Sequence, residues 1–211
     1  MEIIEQTHGP SMNEGHLGGF SLGGDGGTYY PIMWKYLVDS FNIKSVMDIG
    51  CGRGFSAKFF KSLGCEVVGI DGCTYAKDLT LLDEDEFIFH DFTKGELIVK
   101  NGKLYDLGWT CEFVEHVEEQ YIKNYMKCVS QCKHLAMTFA HPGQGGHHHV
   151  NENTQEYWIS KMNEYGFIFD ENMTNILRSK ANDDRLERQN NPKSPFFISH
   201  FVDRGLFFNR I

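Results

Sequence analysis

A glycine-rich loop that follows an apolar run is the first feature of this sequence that could do chemistry. Residues 45–54 are Ser-Val-Met-Asp-Ile-Gly-Cys-Gly-Arg-Gly, so an acid, Asp48, precedes three alternating glycines. Glycine lets a backbone approach a ligand closely because it carries no side chain. A second apolar run ends at Asp71, 21 residues after Gly50. A glycine loop followed at about this distance by an acid is typical of a site for an adenosine-containing cofactor, with the acid on the ribose hydroxyls.

The position three residues after Gly52 indicates which cofactor the loop prefers. A dinucleotide site has a small residue there, because helix and strand pack closely at that point, whereas this chain has Phe55. The loop G-x-G-x-G with an acid before it resembles the first motif of the class I S-adenosylmethionine-dependent methyltransferases. In such a site Asp48 attracts the ammonium of the methionine moiety, directly or through water. A purely structural strand–helix turn is the alternative, and the placement of Asp71 argues against it.

The resemblance implies a donor pocket built from four strand ends. In that class an acid at the third strand end, here Asp91, takes the adenine amino group, and the next residue, Phe92, packs on the ring. The fourth strand end, residues 111–113, lies beside the methionine moiety and the sulfonium. The predicted cofactor-binding residues are Asp48, Gly50, Cys51, Gly52, Gly54, Asp71, Gly72, His90, Asp91, Phe92, Cys111 and Glu112.

The fourth strand end also carries two acids and a histidine, Glu112, Glu115 and His116, in an E-x-x-E-H pattern. On a helix these three side chains would share one face. Two carboxylates and an imidazole on one face could chelate a divalent cation. The pattern resembles that of the small-RNA 2′-O-methyltransferases and of the ubiquinone-pathway O-methyltransferases.

A histidine-rich loop could complete such a cation site. In the small-RNA enzymes a further histidine follows the fifth strand, and here residues 145–151 are Gly-Gly-His-His-His-Val-Asn. We expect His149 to be the fourth ligand, with His147 and His148 as alternatives. A metal would lower the pKa of an acceptor hydroxyl and fix it in line with the methyl group.

A metal-free interpretation uses the same residues. Methyl transfer from a sulfonium needs positioning and, for a hydroxyl acceptor, a base. A neutral imidazole is available near pH 7, and many metal-free methyltransferases carry Glu-His at this place. The candidate catalytic residues are Glu112, His116, His141 and His149, with His147 and His148 also open as the base.

Composition narrows the class of partner. The chain has 211 residues and a net charge of −9, which argues against a nucleic-acid backbone as the main partner. It has no 18-residue apolar run and no signal peptide, so we expect a cytoplasmic protein that does not enter a membrane. Its six scattered cysteines fit reduced thiols. The expected acceptor is a small molecule or a glycan.

Short β-like runs alternate with helical runs, which predicts an α/β fold with a parallel sheet and helices on both faces. The predicted strands are 45–50, 66–70, 86–90, 104–109, 134–140, 166–170 and 205–210. The predicted helices are 28–41, 54–63, 73–82, 118–131 and 154–165, with more helix between 171 and 203. The resemblance implies a Rossmann-like sheet of seven strands whose last strand runs antiparallel between the fifth and the sixth.

Three segments carry further expectations. Residues 1–27 form a Gly-rich arm before a single domain, 28–211, and we expect the arm, with Asp25 and the tyrosines at 29 and 30, to fold over the pocket. Thr28 is the expected cap of the first helix. In 54–63, the spacing of Phe55, Phe59 and Leu63 predicts the face that packs on the sheet. The polar stretch 178–195 predicts a solvated helix with a loop, or a lid.

Taken end to end, the chain resembles small methyltransferases of bacteria and phages that have no settled substrate. The resemblance rests on the arm, on residues 48–52 and 111–117, on the histidine loop and on residues 156–158. It implies O-methylation of a small molecule, glycan or nucleotide. The alternatives are a metal-assisted RNA 2′-O-methyltransferase and a catalytically silent protein that binds S-adenosylmethionine.

Overall fold

The computed structural model describes residues 15–17, 26–99, 102, 104–190 and 199–211. Seven strands form one sheet in the order β3-β2-β1-β4-β5-β7-β6. Their bounds are β1 Ser45–Ile49, β2 Glu66–Asp71, β3 Phe87–Phe89, β4 Tyr105–Thr110, β5 Cys132–Met137, β6 Phe167–Phe169 and β7 Leu206–Arg210. The first five strands are parallel, and β7 runs antiparallel between β5 and β6. The predicted fold class and strand topology are confirmed.

Among the described residues, seven α-helices cover both faces of this sheet. They are α1 Pro31–Phe41, α2 Phe55–Ser62, α3 Thr74–Asp78, α4 Ile122–Val129, α5 Gln155–Glu164, α6 Glu171–Gln189 and α7 His200–Arg204. One core joins the sheet to α4 and α5, and the other joins it to α1, α2, α6 and α7. The central strand β1 is buried along its whole length, and its consecutive residues Val46 and Met47 point to opposite cores.

Long-range contacts replace several predicted local ones. Thr28 does not cap α1. Instead the carboxylate of Asp184, on α6, accepts hydrogen bonds from the backbone N–H groups of Ile32 (2.9 Å) and Met33 (3.1 Å). Asp184 is buried because α6 turns a stripe of residues toward α1, so this part of the polar stretch is a helix with one packed stripe and an otherwise accessible surface. Residues 191–195 and Asp25 lie outside the described residues.

The sheet-facing side of α2 also differs from the prediction. Ala57 and Phe60 are its fully buried residues, while Phe59 and Leu63 are partly buried against the same core. Phe55 lies outside that core and takes the guanidinium of Arg53 over its ring at 5.4 Å. The packed face is therefore rotated by about one residue from the expected one.

All six cysteines are free thiols. Within the described part of the chain, none of the helices combines the length and the apolar character that crossing a membrane requires.

Candidate active site

The glycine loop between β1 and α2 depends on glycine for two reasons. Gly50, Gly52 and Gly54 have φ values of +73°, +52° and +83°, in the left-handed region that favours glycine. A Cβ at Gly50 would lie 2.5 Å from the ring of Phe113, and a Cβ at Gly54 would lie 2.7 Å from Leu82. Backbone conformation and close packing thus fix this loop before any ligand is considered.

Asp48 supports the start of α2. It is 2% exposed, and its Oδ2 accepts hydrogen bonds from the Ser56 hydroxyl and from the Ala57 N–H at 3.2 Å. Burial raises the pKa of Asp48 to about 7 even though these two bonds lower it. The acid before the loop is therefore a buried group that a nearby cation would strongly favour in its charged form.

Asp71 ties the end of β2 to the glycine loop. Its Oδ2 accepts the Gly52 N–H and its Oδ1 accepts the Cys73 N–H, each at 2.8 Å. Burial raises its pKa, against the lowering effect of these backbone donors. A carboxylate oxygen can accept more than one hydrogen bond, so both oxygens keep the capacity to bind hydroxyl groups.

Asp91, at the third strand end, contacts both its own turn and the N-terminal arm. Its Oδ1 accepts hydrogen bonds from the Thr93 N–H (2.8 Å) and the Thr93 hydroxyl (2.7 Å), and His16 Nε2 lies 3.2 Å from Oδ2. Although burial raises the pKa of Asp91, Thr93 and His16 hold it below its usual value. A Cβ at Gly72 would meet Leu17 at 2.8 Å, so residues 16 and 17 of the arm lie against this end of the site.

The neighbours of Asp91 are less open than expected. Phe92 is 5% exposed and packs edge-on against Phe113 and Tyr125 in the core. The His90 ring contacts Phe92, and its Nε2 lies 3.0 Å from the carbonyl oxygen of Gly95. The aromatic side chain predicted to cover adenine thus belongs mainly to the core.

Glu112 contacts a part of the chain that the motif did not indicate. Its φ of +52° is unusual for a residue with a side chain, and its N–H donates to the hydroxyl of Thr138 at 2.8 Å. Its Oε2 lies 3.1 Å from His200 Nδ1, and its Oε1 lies 3.7 Å from Arg204 Nη1. Helix α7 therefore holds Glu112 through two basic side chains.

The E-x-x-E-H pattern does not form one helical face, so the condition for a shared face is not met. Only Val114–His116 form a turn, of the 3-10 type, and Glu112 precedes it in a left-handed conformation. Glu115 is fully buried, and neither of its carboxylate oxygens has a hydrogen-bond partner in the described part of the chain. Burial and the nearby charge of Glu112 raise the pKa of Glu115 well above its usual value.

Three of the predicted metal ligands nevertheless meet. Ligand atoms of Glu115, His116 and His149 all lie within 4.8 Å of one another, and the two imidazole rings are 5.0 Å apart. The histidine loop is docked on this turn, because the N–H groups of Val150 (2.9 Å) and Asn151 (3.1 Å) both donate to the Glu115 carbonyl. Burial and the neighbouring histidines lower the pKa of His116 to about 4.

The other candidate residues do not belong to this group of three ligand atoms. His141 is exposed, with its ring edge-on to Phe139. His147 is exposed and His148 is half-buried, and neither belongs to the group of three. Cys111 contacts the Thr138 hydroxyl at 3.7 Å through its sulfur. Glu112 is outside the group in this conformation, although its charge acts on Glu115.

Comparisons with known proteins identify the architecture. No family model matches the sequence, and no curated protein matches it either. Solved structures do match. The plantazolicin methyltransferase in complex with SAH has a TM-score of 0.55 and 13% identity, covering 86% of this chain and 82% of its own. The magnesium protoporphyrin IX methyltransferase from Synechocystis, with bound SAM, has a TM-score of 0.51 and 18% identity, covering 84% and 76%.

The fold is that of the class I methyltransferases. A putative sarcosine dimethylglycine methyltransferase from Galdieria sulphuraria shares it, with a TM-score of 0.50, 14% identity and coverage of 84% and 83%. In a parallel α/β sheet, ligands bind beyond the carboxyl ends of the strands. Asp48 and Asp71 lie within the last two residues of β1 and β2, and Asp91 and the Glu115 cluster follow carboxyl ends of strands in this fold.

Sequence reasoning missed several residues of this edge. His200 and Arg204 have no motif, and some 90 positions separate them from Glu112. Glu152 contacts His149 at 3.1 Å, and here a local signal existed, since an acid three residues after a histidine in one loop is well placed to bond it. Ser56, the second residue of α2, bonds Asp48 from eight positions away, and no local motif marked it.

Proposed function

We propose that this protein transfers a methyl group from S-adenosylmethionine to a hydroxyl of a small molecule or glycan. The observation that carries the proposal is the order of three acids, Asp48, Asp71 and Asp91, at the ends of adjacent strands β1, β2 and β3. That order matches the ammonium, the ribose and the adenine of one extended ligand. Two structures of the same fold contain SAM or SAH, which supports the choice of donor.

The chain offers a specific contact for each part of the donor. The Asp71 oxygens already face the backbone of the glycine loop, and a ribose would add hydroxyl donors to them. Asp91 Oδ2 faces the arm and would take the adenine amino group. Asp48 would be charged beside the ammonium, because an adjacent cation lowers the pKa that burial has raised.

A divalent cation fits the cluster of Glu115, His116 and His149. Burying a carboxylate without a hydrogen bond is costly, and Glu115 is fully buried with no hydrogen-bond partner for its oxygens among the described residues. His116 Nδ1 is likewise buried without a partner there. Burial raises the pKa of Glu115 more than the charge of Arg204 lowers it. Two imidazoles and a carboxylate form a donor set that suits several divalent transition metals.

When bound, a cation would lower the pKa of an acceptor hydroxyl and orient it. The transfer itself is an in-line displacement, in which the acceptor oxygen bonds the methyl carbon as the carbon–sulfur bond breaks and S-adenosylhomocysteine leaves. The acceptor proton must go to a base. In the metal-free alternative, His116 is that base, because burial holds it neutral and its unpartnered Nδ1 would accept the proton.

The experiment combines an unknown acceptor with a labelled donor. The protein is incubated with S-adenosylmethionine carrying a labelled methyl group and a small-molecule extract, and mass spectrometry detects labelled products. We expect labelled O-methyl products that disappear with EDTA and return with Mn²⁺. Products that are indifferent to EDTA would contradict the cation and leave His116 as the base. A protein that binds the donor but never transfers the label would favour the catalytically silent alternative.

A further inference from the structure

We propose that Glu152 is the positioning residue of the histidine loop, and that it presents His149 Nε2 to Glu115 and His116. The inference deepens the proposed cation site and rests on it for its functional meaning. Its structural content, the orientation and protonation of one imidazole, can be measured without any metal.

Three donors converge on the Glu152 carboxylate. Its Oε2 accepts the Gly143 N–H at 2.7 Å, and its Oε1 accepts the Gly145 N–H at 2.7 Å. His149 Nδ1 lies 3.1 Å from the same Oε1. The side chains of His149 and Glu152 are 8% and 17% exposed, so these bonds form at the inner side of the loop. One carboxylate therefore closes the whole turn from 143 to 149.

The bond to Nδ1 decides which nitrogen is left for the cluster. An imidazole that donates Nδ1–H to a carboxylate keeps its lone pair on Nε2, and such a partner also raises the basicity of that nitrogen. Metal-ligating histidines commonly have this second partner, which fixes the ring orientation. Glu152 supplies it here from within the same loop.

Gly146 provides an independent observation on the same ring. A Cβ at this position would lie 2.4 Å from His149 Nε2 and 2.5 Å from Cε1, and the glycine has a φ of +150°. Any other residue would push the imidazole away. The loop thus combines a carboxylate that holds one ring nitrogen with a glycine that leaves room for the other.

The ends of the loop are fixed separately, so Glu152 is needed only for its interior. Asn151 Nδ2 donates to the Val117 carbonyl at 3.1 Å, and the Asn153 N–H donates to the Ala140 carbonyl at 3.0 Å. These bonds anchor the loop to the site whether or not Glu152 is charged. A change at Glu152 should therefore reorient His149 without releasing the loop.

The test compares Glu152→Gln with a matched control, Glu164→Gln, an exposed acid on α5. The ¹⁵N NMR shifts of His149, recorded without metal, should show the Nδ1–H tautomer in the unmodified protein and in the control. In Glu152→Gln they should move toward the Nε2–H tautomer. Unchanged His149 shifts in Glu152→Gln would overturn the inference.

Metal binding gives the second readout. In calorimetric titrations with Mn²⁺, Glu152→Gln should lower the affinity about 10- to 100-fold, the range typical of such partners, while S-adenosylhomocysteine affinity stays the same. Equal Mn²⁺ affinity in both proteins would overturn the positioning role. If the unmodified protein binds no Mn²⁺, the proposed cation site fails, and the tautomer measurement still decides the inference. Gly146→Ala, which leaves Glu152 intact, should also weaken Mn²⁺ binding.

Discussion

The carboxyl ends of the parallel strands form two halves of one edge of the sheet, the β1–β3 half and the β4–β5 half. The two halves differ in whether their acids have hydrogen-bond partners. At the ends of β1, β2 and β3, the acids Asp48, Asp71 and Asp91 all accept hydrogen bonds from nearby backbone or side chains. At the ends of β4 and β5, Glu115 is fully buried and its oxygens have no such partner among the described residues. In the first half each acid has hydrogen-bond partners, whereas in the second half Glu115 has none among the described residues.

This difference has an energetic meaning. Acids that already have hydrogen-bond partners within the protein are preorganised, and they lose little conformational freedom when a ligand binds. A buried polar group without a partner costs about 1–3 kcal/mol, and more if it is charged. Natural proteins accept such costs at functional sites. We therefore expect substitutions in the β4–β5 half to separate stability from activity, and substitutions in the β1–β3 half to change donor affinity.

The largest expected effect is at Glu115. Glu115→Met replaces a buried acid with an apolar side chain of similar size, so the free energy of unfolding of the metal-free protein should rise by about 2 kcal/mol. Methyl transfer should fall at least about 100-fold, since the cation loses its only carboxylate ligand in the cluster. Chemical denaturation measures the expected rise in stability, and the labelled-methyl assay measures the expected loss of activity.

Glu118→Met is the control for that change, because Glu118 is exposed three residues further on. It should alter neither quantity. If Glu115→Met destabilises the protein, Glu115 has a partner in solution, and the contrast between the two halves is lost.

The next effect concerns the anchor of α7. Glu112→Gln leaves the buried guanidinium of Arg204 without its counter-charge, and breaking such a pair costs roughly 3 kcal/mol of unfolding free energy. The exposed pair of Lys35 and Asp39, 2.6 Å apart, is the comparison, and Asp39→Asn should cost no more than about 0.5 kcal/mol. Equal costs in denaturation curves would show that the Glu112–α7 contact is a surface contact in solution.

Sequence patterns predict the contacts of the acids better in the β1–β3 half than in the β4–β5 half, for a physical reason. In the β1–β3 half, each acid comes at or just after a strand and bonds residues close to it in the chain or in the neighbouring loop, so spacing carries the information. The contact of Asp91 with His16 in the arm is the exception. In the β4–β5 half, Glu112 bonds His200 and Arg204 on a distant helix, which no local pattern encodes. The missing helical face of the E-x-x-E-H pattern has the same origin, since the bond of Glu112 to Thr138 goes with a left-handed residue at the start of the pattern.

Tertiary contacts also explain the other errors. The cap of α1 comes from Asp184, more than 150 residues away from the N–H groups that it binds. Phe92 packs in the aromatic core with Phe113 and Tyr125, and its contact with adenine stays a prediction. His149 could be predicted because the histidine loop has a recognisable place after β5, and its role as a ligand stays a prediction.

A pH effect belongs to the β1–β3 half. The pKa of Asp48 is about 7 in the free protein, and the ammonium of the ligand favours the carboxylate form. Binding below pH 7 must therefore release a proton, so affinity rises with pH and levels off above the pKa. We expect S-adenosylhomocysteine to bind about tenfold more tightly at pH 8 than at pH 6.

Calorimetry in two buffers with different ionisation enthalpies counts the released protons. Asp48→Asn should bind with an affinity that changes little over the same range. The same pH dependence in the variant would assign the proton to another group and remove Asp48 from the ammonium site.

The smallest expected effect is at the arm. His16 lies 3.2 Å from Asp91, and Lys94 reaches the same oxygen from 3.8 Å with a 74% exposed side chain. His16→Ala should weaken S-adenosylhomocysteine binding about two- to fivefold, the range of a partly exposed ion pair, and Lys94→Ala should not change it. A gain in affinity for His16→Ala would mean that the arm competes with adenine.

The most direct test of the central claim is a calorimetric titration of the unmodified protein with S-adenosylmethionine. We predict one site per chain, weakened about 10- to 100-fold by Asp71→Asn, which removes charge-assisted bonds to the ribose. Asp83→Asn, at an exposed acid paired with Lys61, should bind like the unmodified protein. A folded protein that gives no binding heat, or an Asp71→Asn variant with full affinity, would contradict the account.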